Sequence, residues 1–489
     1  MSPRVSTDRL LGDVEIHADV QEYTRPSDAN SFDAGFGGPE GRRQVEKSLL
    51  RKLDLRLSFL VLVFLMNHVD RINLASARLQ GFEEDLKLTG HQFNTLISIM
   101  YVGYFVMQIP SNMFLDQLTR PSAYLSLATL VWGLISISIA WLCSFDTVLI
   151  SRFLLGFSEA VYAPGITFLL SRWYKRDELG LRVAVFKCGP PVSQTLGPLF
   201  ASAVFATMGG KLGFAAWRWL FFIEGSLTCI IAIASFYITP DFPTTPALAW
   251  LTIDEQTLAQ RRMVEDLGGV EQKSARRSGL VEALTDWTVW WIGIATCCTM
   301  VGMSFGHYFP TIAATMGYST TVTLLLCAPP WFVGVITSLL IMRHSDATRD
   351  LFWHIAVPVV ISIIGFLVAI STMNIPMRYL SLFLMTQSHV AYVVIFAWVS
   401  NSIPDSSSKR AVALAFVSVF GTFGNVASPY LWSKEWGPSY SKSFMYCILA
   451  FLVSLSMLWV YRLHLIRLNQ EAEIKERTLG LPKGFRYIT

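Results

Sequence analysis

The chain has 489 residues, of which 53% are hydrophobic and only 15% are charged, and its mean hydropathy is +0.45. Because soluble domains carry about 25% charged residues, this composition excludes an ordinary soluble protein and indicates a polytopic helical membrane protein. The formal net charge of +4 is small and gives no indication of nucleic-acid binding.

The chain opens with a polar segment. No apolar stretch occurs before residue 57, so we expect no signal peptide and a disordered tail over residues 1–55. Apolar runs of about 20 residues then follow one another, the length that crosses a bilayer as a helix. Twelve such spans are predicted, at about 57–78, 91–115, 122–142, 147–170, 183–207, 217–238, 288–311, 320–342, 353–372, 378–400, 410–432 and 442–464.

A polar stretch with three prolines and a charged, helix-forming piece separates spans six and seven. The predicted fold is therefore an all-α membrane protein with twelve transmembrane helices in two six-helix halves. The predicted parts are an N-terminal tail (1–55), an N-terminal bundle (56–238), a linker (239–286), a C-terminal bundle (287–465) and a C-terminal tail (466–489).

The orientation follows from the basic residues, which accumulate in cytosolic loops of membrane proteins. With both termini placed in the cytosol, and with residues at span ends counted in the adjacent loop, 29 of the 39 Lys and Arg are cytosolic and 7 lie outside. The remaining three, Arg71, Arg152 and Lys187, lie inside spans. We therefore predict that both termini, the linker and both tails are cytosolic.

No pattern of enzyme chemistry is present. The seven cysteines fall in or beside apolar spans without metal-ligand spacing. No phosphate loop, zinc motif or nucleophile–base spacing occurs. We expect no catalytic residue, no metal and no cofactor, and we predict that the protein is not an enzyme.

Two opposite charges, Asp70 and Arg71, stand side by side in the first span. A charge at membrane depth costs roughly 2.5–3.5 kcal/mol on insertion scales, so it is retained where it faces a cavity or a partner. An acid beside an arginine at this depth predicts a site for an anion and a proton. The alternative is a permanent structural pair of Arg71 with Asp70 or with a neighbouring helix.

Glu159 is a second acid at membrane depth, and Arg152 lies two turns earlier on the same face of span four. Hydrocarbon favours the protonated form of a carboxyl group and a nearby arginine favours the ionised form. Protonation would then depend on whether the arginine is occupied by substrate. The alternative is that Glu159 only satisfies a polar partner, and a structural role for Arg152 is equally open.

Polar residues recur at helical spacing within apolar spans, which indicates faces that avoid lipid. Interhelical hydrogen bonds would explain any one stripe, but stripes in both halves favour a solvated path. The two main stripes are Asn94, Ser98, Tyr101 and Gln108 on span two and Ser418, Thr422 and Asn425 on span eleven.

Three strings carry a resemblance to a known family. They are Asn-His-Val-Asp-Arg-Ile-Asn at 67–73, Glu-Ala-Val-Tyr-Ala-Pro-Gly at 159–165 and Trp-Arg-Trp-Leu-Phe at 217–221. The first resembles the first-span signature of the anion:cation symporter branch of the major facilitator superfamily. Together, over about residues 50–465, they are similar to the fungal allantoate-permease-like group, whose members take up acids such as nicotinate, pantothenate and allantoate.

The resemblance implies a rocker-switch transporter that moves small organic anions, typically carboxylates, with protons. It implies that Arg71 receives the anion and that Asp70 and Glu159 carry protons. We expect further substrate contacts from Asn67, Tyr101, Lys187, Gln194, Trp398 and Asn425. Packing is the alternative for Trp398, and snorkelling to the cytosolic surface is the alternative for Lys187.

Acids and bases recur at equivalent cytosolic corners of the two halves, as expected for divergent repeats. We predict that they latch the cytosolic side. The predicted latch residues are Asp116, Arg120, Arg182, Asp346, Arg349 and Arg410. The superfamily pattern Gly-x-x-x-Asp-Arg-x-Gly-Arg is incomplete here, because Asn112, Gln117 and Thr119 replace three of its residues.

The sequence thus predicts a proton-coupled symporter of a small organic anion, a carboxylate or vitamin-like acid, acting by alternating access. We expect a monomer in a fungal plasma membrane, with the vacuolar membrane left open. Its expected partners are the anion, protons and the lipid bilayer, without nucleic acid. The alternatives are an exporter of an acidic secondary metabolite on the same fold and a non-transporting nutrient sensor.

Overall fold

The computed structural model describes residues 36–115, 117–246, 248–267, 281–348, 350–403, 407–479 and 486–488. Within these residues the chain is helical and contains no β-strand. Ten helices in this part are long and apolar enough to cross a membrane. Two more complete the predicted twelve: one carries the Asp70–Arg71 pair, and the other is interrupted near Cys188 and contains Pro198.

The twelve spans are labelled in chain order. They are α1 (Pro39–Arg78), α2 (Gln92–Leu115), α3 (Pro121–Ile139), α4 (Phe145–Ser171), α5 (Arg176–Lys187 and Gly189–Met208), α6 (Ala216–Ile238), α7 (Trp287–Ala314), α8 (Thr320–Thr348), α9 (Phe352–Ser371), α10 (Ile375–Asn401), α11 (Ser407–Ala427) and α12 (Ser441–Leu479).

The first helix begins earlier than expected. Residues 39–55, predicted to be disordered, form the first turns of α1, while residues 1–35 lie outside the described part of the chain. The reason is a buried leucine stripe, Leu49, Leu53 and Leu57, which gives this segment an apolar face at helical spacing. The last helix likewise continues to Leu479, past the predicted end of the C-terminal bundle.

The charged piece of the linker forms a helix, Ile253–Leu267, which packs against the start of α1. Lys52 of α1 donates to Glu255 at 2.7 Å, and Arg42 donates to Glu265 at 2.6 Å. The buried Arg262 pairs with Glu46 on the same end of α1. The linker helix is therefore fixed to the N-terminal half by ion pairs.

The two halves face each other along α2 with α11 and α5 with α8. Within the N-terminal half, α2 and α4 cross closely, since a Cβ at Gly156 would clash with the carbonyl oxygen of Met100. This crossing brings the following turn of α4, which carries Glu159, next to α2. We call the side where α1 begins and α12 ends the terminal side, and the other the opposite side.

The halves are closed against each other on the opposite side. The hydroxyl of Tyr308 on α7 donates to Asn94 on α2 at 2.7 Å, and Asn94 donates to the carbonyl of Trp432 at 3.2 Å. Glu83, after α1, accepts from Lys434 of the C-terminal half at 3.0 Å. Between described residues, the ion pairs on the terminal side, such as Arg182–Asp54 and Lys409–Asp286, stay within one half.

Candidate functional site

Arg71 lies two turns before the end of α1 and reaches across to α4. Its Nε donates to Oε2 of Glu159 at 2.7 Å, and Nη2 donates to Oδ1 of Asn67, one turn earlier on α1, at 3.1 Å. The guanidinium carbon lies 4.7 Å from the ring centroid of Tyr104 on α2, within cation–π range. Three helices therefore hold this one cation.

Asp70 is held by a different helix. Successive residues of a helix point about 100° apart, and the carboxyl group of Asp70 is fully buried against α3. There it accepts from the hydroxyl of Ser136 at 2.7 Å and from the indole nitrogen of Trp132. Arg71 thus has its ion pair with Glu159 and not with its neighbour Asp70.

Two further buried charges lie beside this pair. Arg152 is 0% exposed, and its guanidinium carbon lies 5.3 Å from the ring centroid of Phe221 on α6. Glu224 follows Phe221 by three residues and is 1% exposed. Arg152 interacts electrostatically with three carboxyl groups, those of Asp70, Glu159 and Glu224. We name the charge cluster by its five members: Asp70, Arg71, Arg152, Glu159 and Glu224.

A narrow cavity joins the charge cluster to the C-terminal half. Arg71 and Ile97 line it from one half, and Gly306 and His307 line it from α7. Across it, Nε2 of His307 lies 3.4 Å from the hydroxyl of Tyr101. Cation and hydrogen-bonding groups therefore meet at the junction of the two halves, around a cavity of about 20 Å³ that has room for a single water molecule in this conformation.

Most predicted substrate contacts are brought to this junction. Asn67 bonds Arg71, and Tyr101 bonds His307. Asn425 of α11 interacts with the His307 side chain, and the amide of Gln194 on α5 lies against Gly306. The structure thus gathers side chains from both halves around Arg71.

Trp398 is not part of this group. Its indole nitrogen donates to the carbonyl of Ile488 at 3.0 Å, and its ring packs edge-on against Tyr461 with 5.2 Å between centroids. These contacts place it on the terminal side of the C-terminal half, in agreement with the packing alternative. The side chain of Lys187 lies outside the described part of the chain.

Two of the predicted latch residues make contacts within their own half. Arg182 donates to Asp54 at 2.8 Å, and Arg410 donates to the carbonyl of Ile403 at 2.8 Å, while Arg120 is exposed. Residues 116 and 349 and the side chain of Asp346 lie outside the described part. The ion pair of Arg182 therefore lies within the N-terminal half in this conformation.

Glu224 is the residue of the cluster that sequence reasoning did not single out. It stands inside a predicted span, directly before Gly225 and close after the Trp-Arg-Trp-Leu-Phe string. An ionisable residue within a span is a functional candidate by default, so that signal was present. Tyr104, which carries no charge, offered no comparable signal.

Comparison with known proteins agrees with this architecture. The Major Facilitator Superfamily profile matches residues 60–429. The major facilitator-type transporter hxnP of Emericella nidulans is 28% identical over 410 residues, covering 81% of each chain. The pantothenate transporter FEN2 of Saccharomyces cerevisiae is 27% identical over 431 residues, covering 84% of this chain and 83% of its own.

Among solved structures, a bacterial homologue of the human lysosomal transporter Spinster, in an inward-facing and unoccupied conformation, superimposes with a TM-score of 0.64. The identity is 16%, and the match covers 84% of this chain and 95% of that chain. This similarity concerns the fold, while the sequence match above extends over most of the chain. The protein is a membrane transporter and belongs to the major facilitator superfamily.

Proposed function

We propose that the protein is a proton-coupled symporter of a small organic anion, a carboxylate or vitamin-like acid. The observation that carries the proposal is the Arg71–Glu159 ion pair at the junction of the two halves. An arginine paired with a protein carboxylate can exchange that partner for the carboxylate of a substrate, because both offer the same planar pair of oxygens.

Proton coupling follows from this exchange. When a substrate carboxylate pairs with Arg71, Glu159 is left as a buried anion without its cation. That state costs about 3–5 kcal/mol. A proton on Glu159 removes that cost. Its other oxygen, Oε1, is buried and has no hydrogen-bond partner in the described part of the chain, so it is free to take the proton. Substrate and proton would therefore bind together.

Asp70 differs from Glu159 in its surroundings. It accepts hydrogen bonds from Trp132 and Ser136 and interacts electrostatically with Arg152. These partners lie inside the bundle, whereas the partner of Glu159, Arg71, lines the cavity, so we assign the exchangeable proton to Glu159 first. Proton movement through Asp70 is the second part of the proposal and is tested separately.

The conformation supports alternating access. The halves are joined on the opposite side through Tyr308, Asn94 and Lys434. With the terminal side in the cytosol, as the basic residues predict, the closed side faces outward, and both cargoes would leave into the cell when the terminal side opens. A plasma-membrane importer acting as a monomer fits this arrangement, and the likeness to a pantothenate transporter supports an organic acid as cargo.

The proposal is tested with purified protein in proteoliposomes under an imposed pH gradient. Uptake of radiolabelled monocarboxylates, dicarboxylates and ureides is compared between wild type, Arg71→Ala and Arg71→Lys. We expect one class of acid to accumulate in wild type and a loss of about 100-fold or more in Arg71→Ala, the equivalent of a broken buried pair. Arg71→Lys keeps the charge without the planar fork and should fall between them. Wild-type uptake in Arg71→Ala would refute the proposal.

A further inference from the structure

Glu224 carries a carboxyl group that is buried without a hydrogen-bond partner among the described residues. It is 1% exposed, and neither Oε1 nor Oε2 has a hydrogen-bond partner in the described part of the chain. An ionised carboxylate accepts at about four lone-pair positions, and a buried one without donors costs several kcal/mol. The other two acids of the charge cluster differ, since Asp70 accepts two hydrogen bonds and Glu159 accepts from Arg71.

The backbone fixes Glu224 in this position. A Cβ at Gly225 would lie 2.6 Å from the amide nitrogen of Ile137 and 2.8 Å from the carbonyl oxygen of Gly133. The helices α6 and α3 therefore touch backbone to backbone directly beside Glu224. Such a contact leaves no room for α6 to turn its carboxyl group toward water, so the group must be accommodated where it is.

The charged groups that interact with Glu224 lie on α1 and α4. Its electrostatic partners are Asp70 on α1 and Arg152 and Glu159 on α4, and Arg71 on α1 pairs with Glu159. Among the neighbouring helices of α6, the segment 189–208 of α5 contains no titratable residue, and α3 contains only Tyr124, whose hydroxyl bonds Ser111. The cluster thus holds two arginines and three carboxyl groups.

We propose that the charge cluster keeps one resident proton on Glu224, which balances its two arginines against two ionised carboxylates. Arg152 is then neutralised by Asp70, and Arg71 by Glu159 or by the substrate. Because the balance is complete before an anion arrives, one monoanion would bring in one proton, at Glu159. As a neutral group, Glu224 leaves the charge of Arg152 to Asp70 and takes no part in proton movement in this scheme.

This inference rests on the proposed symport only for its consequence, the ratio of one proton to one monoanion. The resident proton itself is measured without transport. In infrared spectra of the purified protein at neutral pH, wild type minus Glu224→Gln should show the carbonyl band of a protonated carboxylic acid, shifted in heavy water. The exposed Glu84→Gln is the matched control and should show no such band. Absence of the band from the Glu224 difference would overturn the proposal.

Transport gives the second readout. Glu224→Gln replaces a neutral acid by a neutral amide of the same shape, so proteoliposomes carrying it should keep the proton-to-anion ratio of wild type. A ratio lowered by one proton would show that Glu224 carries transported protons and would refute the resident role. If wild type moved no anion while the infrared band was present, the symport proposal would fail and the resident proton would stand.

A second substitution tests the proposal if Glu224→Gln does not fold. Glu224→Met is apolar and of similar length, and it should accumulate in the membrane because the wild-type side chain is neutral in this scheme. Should both Glu224→Gln and Glu224→Met fail to accumulate while Glu84→Gln accumulates normally, a charged Glu224 would be required for folding. That result would contradict the proposal.

Discussion

At the scale of single residues, neighbours in the chain have different partners. Asp70 turns to Trp132 and Ser136 on α3, whereas Arg71 turns to Glu159 on α4. The Arg71–Glu159 pair lies along the cavity, whereas Asp70 is buried with its partners in the bundle. We therefore expect Asp70 and Glu159 to respond differently to substitution. That difference yields two predictions.

The first concerns Glu159. Glu159→Gln removes the exchangeable proton but leaves a side chain of the same shape, so net uptake driven by a pH gradient should be lost. Exchange of labelled for unlabelled anion across the membrane needs no net proton movement and should persist. Both are measured in the same proteoliposomes, with the exposed Glu84→Gln as control. Persistent proton-driven accumulation would remove Glu159 from the coupling step.

The second concerns Asp70. Asp70→Asn removes the negative charge that interacts with Arg152 and replaces an oxygen that accepts from Trp132 or Ser136 by a donor, so the folded state should lose about 1–3 kcal/mol of stability. The thermal midpoint of the purified variant in detergent should fall well below that of wild type. Asp146→Asn, an exposed acid in the first turn of α4, is the control and should leave the midpoint unchanged. An unchanged midpoint in Asp70→Asn, with normal proton-driven uptake, would show that Asp70 is neither a structural nor a proton-carrying group.

At the scale of elements, the linker helix is the part whose attachment depends on ionisable groups outside the membrane. Burial opposes ionisation of Glu255, but hydrogen bonds from Lys52, Thr252 and Ser48 outweigh it and hold its pKa below the ordinary 4.5. Burial likewise opposes ionisation of Glu265, and the side chains of Arg42 and Arg261 hold its pKa low. Both carboxyl groups are thus more acidic when the helix is docked.

The sign of the pH dependence follows. A carboxyl group with a lowered pKa in the folded state stabilises that state above its ordinary pKa and loses this contribution as the pH falls through the lowered value. The helix Ile253–Leu267 should therefore stay protected from hydrogen exchange above about pH 4.5 and lose protection below it, after correction for intrinsic rates. Glu255→Gln should lower protection at neutral pH, unlike the exposed Asp254→Asn. Equal protection in both variants would contradict this attachment.

Helix positions were predictable where hydropathy alone decides them. The span predicted at 217–238 is the observed Ala216–Ile238, because a mostly apolar run of membrane-crossing length, interrupted by Arg218 and Glu224, ends before Thr239 and Pro240. The start of α1 was not predictable in the same way. It packs in part against a helix some two hundred residues away in sequence, Ile253–Leu267, and only the packed structure shows that contact.

The candidate site was predictable in its charges but not in its pairings. Asp70, Arg71 and Glu159 stand out because a charge within an apolar span is costly and is retained where it faces a cavity or a partner. Which acid takes Arg71 depends on the rotation of α1 against α3 and α4, which no local pattern encodes. Trp398 shows the opposite case. The sequence does not distinguish a tryptophan that lines a cavity from one that packs against other helices.

At the scale of the whole molecule, closure on the opposite side depends on contacts between the halves. Tyr308→Phe removes the hydroxyl that bonds Asn94, which should weaken this closed side by about 1 kcal/mol and shift the balance toward the state open on the opposite side about fivefold. Pulsed electron paramagnetic resonance between spin labels at the exposed positions Glu84 and Glu435 would report the change as a larger population at long distance.

The exposed Tyr318→Phe serves as the control for the same substitution outside the contact. The ion pair of Glu83 with Lys434 should matter less, since Lys434 is 69% exposed and exposed pairs contribute at most about 1 kcal/mol. An unchanged distance distribution in Tyr308→Phe would show that the Tyr308–Asn94 contact does not hold the halves together.

The most direct test of coupling at the Arg71–Glu159 pair uses proton movement as its readout. Proteoliposomes with a trapped pH-sensitive dye receive the transported anion on one side only, with no initial pH gradient and with the membrane potential clamped at zero. We expect the inward anion gradient to acidify the lumen in wild type and to leave it unchanged in Arg71→Ala and in Glu159→Gln. Anion entry in wild type without acidification, or acidification that persists in Glu159→Gln, would contradict the account.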